Sequence, residues 1–406
     1  MDKQFSIYRT FSKVVFCFTL LIVLANTAIA QKHCLADYRP PSIVPTTSNS
    51  IVPRENIVIP VVFHIVWRDS IERIDQDQIL TQLSSLNKDF QGLNPDLSEV
   101  PAEFRKDIGV INFEFCIATV DPNGNPSLGI DYTQTIIEHV GIHRDADNKR
   151  SICYDNSGGV NAWDPNRYVN IWIGDMDGFF GLSSFPGQGP LAEDGIIIDP
   201  HYIGTNRLAF GNPKHNQGRT LTHEMGHYFN LQHLWGTNNG SCELDDDISD
   251  TPVQSDAIYG CPTYPYLSCG HSAQFMNFMN YTDDPCLLMF TDQQKLRMLE
   301  TLELWRHDLL STTSNCSQVA ISDNWEINIW PNPNQGQFTC QVKDHSAGRF
   351  QVAILDHLGR KLEIGAWENG EIRGIDRSDL PAGLYLLQVS RESRVEAQRF
   401  CIFHTE

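Results

Sequence analysis

The stretch "THEMGHYFNLQH", Thr222 to His233, carries three histidines and one glutamate in twelve residues. On a helix His223 and His227 stand four residues apart, so their rings leave one face at neighbouring turns and can grip one Zn²⁺. Glu224 lies one position round, close enough to reach a water on the metal but poorly placed to be a third ligand. Its expected role is general base, then proton donor to the leaving amine. A catalytic zinc takes three protein groups and keeps a fourth position for water. His233, six residues past His227, can be the third only if the chain leaves the helix near residue 230 and turns back. Such a turn places a residue in the left-handed conformation, which glycine adopts freely and asparagine next best. Asn230 is compatible with it, whereas Val or Ile there would argue against the third ligand. A lone His-Glu-x-x-His also arises by chance on solvated helices; His233 at the turn spacing favours zinc.

Elements able to hold such a helix surround it. "IVIPVVFHIVW" (57–67) is an apolar, β-branched run suited to a strand buried on both faces. Ile79, Leu83, Leu86 and Phe90 fall on one stripe of a 3.6-residue repeat and predict a helix. Further strands are expected in "VINFEFCIATV" (110–120), "RYVNIWIGDM" (167–176) and "DGIIID" (194–199), and a last helix from about Thr291 to Leu310. The fold class is therefore α/β (α+β), a catalytic half spanning 56–312. Residues 313–320 read as a linker. From 321 to 406, short alternating strands with Asn-Pro, Leu-Gly and Ala-Gly breakers describe a small all-β, immunoglobulin-like sandwich without catalytic residues.

The chain has 406 residues, a net charge of −20 and a pI near 5. That charge argues against a nucleic-acid partner, which needs clustered Lys and Arg. Lys3, Arg9 and Lys13, an apolar run from Val14 to Ala25 and Ala28-Ile29-Ala30 describe a secretory signal (1–30) cleaved after Ala30, a signal anchor being the alternative. Residues 31–55 read as a pro-segment or arm. Removal of the signal takes Cys17 and leaves ten cysteines, an even set for disulfides in an oxidising compartment.

"HEMGHYFNLQH" resembles the metzincin zinc signature, and "NFMNYTDDPC" resembles the methionine-containing turn of the pappalysin family. The resemblance extends to "IPVVFHIVW", "GFFGLSSFPG" and "DGIIID". It implies a metzincin-like catalytic domain, Met279 as the turn methionine, and Tyr281 near the metal to stabilise the transition state. It further implies disulfides Cys242–Cys269 and Cys261–Cys286, and structural calcium held by Asp245, Asp246, Asp247, Asp250 and Thr251; a solvated acidic loop is the alternative. The Gly178–Gly187 segment would line a cleft where an extended substrate adds as a strand. Asp284 would sit by the pocket for the residue after the scissile bond and favour Arg or Lys there. Asn230 and Asn280 depart from the family pattern, where glycine and aspartate are common.

The tail is similar to the C-terminal sorting domain of type IX secretion: Trp330-Pro331-Asn332-Pro333, Gly359-Arg360 and Gly383-Leu384-Tyr385 carry the pattern. This implies passage across an outer membrane to a secreted or surface-attached state, with the secretion machinery as partner; a substrate-binding β-module is the alternative. The expected function is zinc-dependent endopeptidase action on proteins or peptides. A surface-attached binding or adhesion protein with structural zinc is the competing class. Cys34, near the mature N-terminus, is either a latency ligand for the zinc of a zymogen or half of a disulfide. The pairing of Cys116, Cys153 and Cys316 stays open, and Cys340–Cys401 is a guess resting on their expected strands.

Overall fold

The computed structural model describes residues 56–205, 214–237, 240–311, 326–343, 349–356, 360–391 and 394–404. The signal with Ala30, the arm with Cys34, and the 313–320 segment with Cys316 lie outside the described residues. Contacts divide the chain into two compact units, Met1–Gln318 and Val319–Glu406.

In the first unit β1 (Ile57–Trp67) is the organising strand. Its first half pairs in parallel with β2 (Phe113–Ile117), and its second half with β3 (Ile130–Gln134). On the other side it pairs with β4 (Val169–Ile173). The sheet continues through β6 (Ile196–Ile198) to β5 (Gly181–Ser183) at the edge. All these pairings are parallel except β5 with β6. The unbroken apolar reading of β1 follows from its position, since a strand covered on both faces has no solvent side to mark by alternation. β3, half-exposed, was not expected.

Helix α1 (Gln76–Gln91) starts where the Asp75 side chain accepts the Gln78 N–H. It buries Ile79, Leu83, Leu86 and Phe90 as predicted, with Phe90 against Phe113 and Phe115. Helix α2 (Arg219–Tyr228) is buried along its whole length, and its Leu221, Met225 and Tyr228 join the same core. Helix α3 (Asp292–Trp305) is capped by a reciprocal Thr291–Gln294 box, and a short 3₁₀ turn, His307–Ser311, follows. Between them Arg306 donates to the Tyr228 carbonyl at 3.0 Å and to both oxygens of Asp194. Asp194 in turn accepts from Ser184 at the end of β5, so one buried guanidinium links the α2 C-terminus to the edge strand.

The second unit has two antiparallel sheets. The first contains β7 (Glu326–Trp330), β8 (Gln337–Lys343) and β11 (Ile372–Asp376). The second contains β9 (Arg349–Leu355), β10 (Lys361–Glu368), β12 (Gly383–Arg391) and β13 (Arg394–Ile402). Phe338, Val342, Phe350, Trp367, Leu387 and Phe400 from both sheets share one core. The guessed Cys340–Cys401 pair is corrected here. Cys340 is buried on β8 of one sheet, Cys401 is half-buried on β13 of the other, and both are free thiols, as is buried Cys153. The ten cysteines therefore do not all pair. Cys116 is disulfide-bonded.

Candidate metal centre

Helix α2 begins against a carboxylate. Asp284 Oδ2 accepts the backbone N–H of Gln217 at 2.8 Å and of Arg219 at 3.4 Å, supplying acceptors to donors that the start of a helix leaves unpaired. The Arg219 guanidinium donates to Asp96 at 2.8 Å and to the Asp284 and Leu287 carbonyls. Thr222 donates to Asp89 on α1 at 2.8 Å. These contacts fix the height and rotation of α2, and with it His223, Glu224 and His227.

The helix ends at the turn the sequence required. Asn230 sits at φ +71°, its N–H bonded to the His227 carbonyl at 2.8 Å, while Leu231 N–H returns to Gly226 at 2.9 Å. The reversal brings the Leu231 carbonyl within 2.7 Å of His227 Nδ1 and brings His233 back to the helix face. His223 Nδ1 lies 2.7 Å from the Phe278 carbonyl. A carbonyl only accepts, so on both rings Nδ1 carries the proton and Nε2 presents its lone pair.

The three Nε2 atoms converge: 3.1 Å from His227 to each of His223 and His233, and 3.3 Å between the last two. No proton lies between His223 and His227 to bond them, so the arrangement calls for a cation. Tetrahedral zinc with Zn–N bonds of about 2.0–2.1 Å separates its nitrogens by about 3.3 Å, and the residues fit the ion. Burial holds the His223 imidazolium down to about 4 and that of His227 well below its ordinary value, keeping both rings neutral. Among the described residues this is the one cluster of three or more His, Cys, Asp or Glu able to hold a metal.

Met279 packs beneath α2, its sulfur against Gly226. Tyr281 flanks the ligands with ring centroids 4.8 Å from His233 and 5.6 Å from His223. Glu224, also buried, faces Gly181 of β5 so closely that a Cβ there would lie 2.7 Å from its Cγ and Oε1. A small pocket of about 30 Å³ joins His223, Glu224, Tyr281, Asp284, Phe180 and His215. Asp284 thus lines the pocket beside the histidines. Its Oδ2 also serves the helix start, while Oδ1 lies 3.7 Å from His215 Nδ1.

Both expected disulfides are formed, Cys242–Cys269 and Cys261–Cys286, and their spans interleave. The five expected calcium ligands are not all brought together. Asp250 spends its carboxylate on Thr291 and Gln293 at the start of α3. Asp245 accepts the Asp247 N–H, and the Asp247 side chain is exposed. Asp246 and Thr251 do meet, at 2.7 Å, and the other Asp246 oxygen is buried without a hydrogen-bond partner.

Two site residues, Trp235 and His215, escaped sequence reasoning. Trp235 stacks on His233, planes within 8° and centroids 4.4 Å apart. Its position two residues past a ligand was a faint signal. His215 gave none, because a pocket wall leaves no spacing to read; Gly181 lies in the Gly178–Gly187 segment expected along the cleft, though its close approach to Glu224 was not foreseen.

The family profile described as pregnancy-associated plasma protein-A matches residues 154–303. Mature mirolysin of Tannerella forsythia, solved with a cleaved peptide, superposes with a TM-score of 0.61 at 34% identity, over 66% of this chain and 100% of that one. Promirolysin gives 0.60 at 34% identity, covering 66% and 88%. An extracellular metalloprotease of Arthroderma benhamiae is 28% identical over 249 residues, 60% of this chain and 71% of the relative. The chain belongs to the pappalysin family. As a pappalysin it is a zinc metalloendopeptidase, and the competing adhesion-protein reading falls away. Residues 328–403 match the secretion system C-terminal sorting domain, so this pappalysin is secreted or surface-attached.

Proposed function

We propose that this secreted peptidase cleaves extended protein segments laid along the β5 edge, with Glu224 as the proton carrier. The observation that carries the reading is the convergence of three imidazole nitrogens beside a buried carboxylate in one pocket. Zinc held by His223, His227 and His233 supplies Lewis acidity toward a water and the substrate carbonyl. Glu224, buried beside the ligands, takes the proton of the attacking water and returns it to the leaving amine. Tyr281, half-buried beside the ligands, donates a hydrogen bond to the developing oxyanion.

Asp284 gives the pocket for the residue after the scissile bond its preference for Arg or Lys. Support comes from its Oδ1, which faces His215 across that pocket. Asp246, with Thr251, forms the kernel of a calcium site, its buried oxygen free to meet an ion. The sorting domain, seven strands among the described residues in an immunoglobulin-like arrangement, engages the type IX machinery, and Cys34 serves either as the latency ligand of the zymogen or as half of a disulfide. Signal cleavage follows Ala30.

Zinc content and casein cleavage, measured for wild type and Glu224→Ala with a chelator control, test the reading. Full zinc with no cleavage by the processed wild type would overturn it.

A further inference from the structure

A second, larger groove of about 670 Å³ opens along β5 beyond the metal centre. Its inner end is Phe185, whose ring centroid lies 5.3 Å from that of His227. Leu182 and Ile197 line it from the sheet, and Arg144, Lys149 and Arg150 line it from the 144–154 loop. The two sides are pinned together: Glu193 accepts the Arg150 N–H at 2.9 Å and pairs with its Nε at 3.4 Å.

The direction of the chain in this groove follows from geometry. Phe180, at the start of β5, lines the small pocket with Asp284; Phe185, past its end, lines the large groove. If the residue after the scissile bond enters the Asp284 pocket, a substrate on the β5 edge runs antiparallel to β5. Its residues before the bond then lie in the large groove.

The charge of this groove runs against that of the protein. Lys149 pairs with Asp147 at 3.2 Å and Arg150 with Glu193, whereas exposed Arg144 makes one hydrogen bond, to the Asn148 carbonyl at 2.7 Å. Among the described residues no carboxylate lies in ion-pair range of Arg144. One exposed cation thus remains uncompensated in a chain of net charge −20.

We propose that the groove is a binding site for substrate residues before the scissile bond, and that Arg144 selects an acidic side chain among them. The preferred substrate is then acidic before the bond and basic after it. This rests on the reading of β5 as the substrate edge and of Asp284 as the pocket for the residue after the bond. An exposed ion pair is worth about 0.2–1 kcal/mol, so the expected preference for Glu over Gln is about 1.4- to 5-fold.

The test uses peptides with Arg after the scissile bond and Glu, Gln or Lys at the second and third positions before it. Wild type, Arg144→Gln and Arg144→Glu are compared by kcat/KM. The same peptides, fluorescently labelled, are titrated against Glu224→Ala by anisotropy, with and without Arg144→Glu, which scores the groove without turnover. Wild type should favour the Glu peptide, Arg144→Gln should level the ratio, and Arg144→Glu should favour Lys. A wild-type ratio of one, or a ratio unmoved by the charge swap, overturns the proposal. Absence of chelator-sensitive cleavage would sink the peptidase reading instead, while the anisotropy ratio still decides the groove.

Discussion

The sulfur of Met279 occupies the space into which a side chain on Gly226 would grow: a Cβ there would lie 2.4 Å from Sδ. The helix carrying His223 and His227 therefore rests directly on the methionine of the turn below, with no intervening side chain.

Gly226→Ala forces that contact apart. Overpacking of this kind costs about 1–3 kcal/mol, and the displaced segment bears the Phe278 carbonyl that orients His223. A lower melting temperature and weaker zinc retention against a competing chelator are expected; unchanged values would show that the turn yields easily.

Asn230 occupies left-handed backbone, and its Oδ1 is buried without a hydrogen-bond partner. Asn230→Gly should keep or raise stability and zinc affinity. Asn230→Val should cost about 1–2 kcal/mol and loosen His233. Chelator competition and thermal unfolding of the two variants check both directions.

Glu224→Gln preserves shape and removes the carboxylate that takes and returns the proton. We expect kcat to fall by about 10² or more with zinc content unchanged, as general acid–base groups contribute on that scale. Loss of zinc in step with activity would assign Glu224 a structural role.

Asp284 combines two tasks that variants separate. Asn retains an oxygen for the Gln217 and Arg219 amides; Ala does not. Asp284→Ala should lose about 0.5–2 kcal/mol of stability and Asp284→Asn less, while both lose the preference for Arg or Lys after the bond. A peptide library with thermal unfolding reads the two effects apart.

Asp89 is buried, and its burial, opposed by Arg219 and the Thr222 hydroxyl, pushes it up to about 7. Between its ordinary value of 3.8 and about 7 the folded protein holds a proton that the unfolded chain has released. Stability therefore falls as pH rises through that window and levels off above it. Asp89→Asn should flatten this part of the profile. Melting temperatures of both forms from pH 4 to about 8, in chelator so that metal loss does not intervene, make the comparison.

The metal ligands were legible because helix geometry and turn chemistry are local: spacing gave His223 and His227, and a residue tolerant of left-handed backbone gave His233. β1 was legible through its continuous apolar run. β3 was not, since it is half-exposed, and β5, only three residues long, was reached through the family resemblance of the Gly178–Gly187 segment rather than through any periodicity. The pairing of Cys340 with Cys401 failed for a related reason. Strand propensity says where a residue lies along a strand, but not which sheet the strand joins. The acidic loop was harder to read, because Asp250 is as good a partner for a helix start as for an ion, and sequence does not decide between them.

The interleaved bridges of the loop between His233 and α3 bear on self-digestion. Any single backbone cut between Cys242 and Cys286 leaves its two ends joined through Cys242–Cys269 or Cys261–Cys286. The segment from Thr220 to Gln294 also contains neither Lys nor Arg. An enzyme that cuts before basic residues would find none in the stretch encoding its own ligands and turn, and a nick from another peptidase within the stapled loop would leave Tyr281 and Asp284 covalently attached.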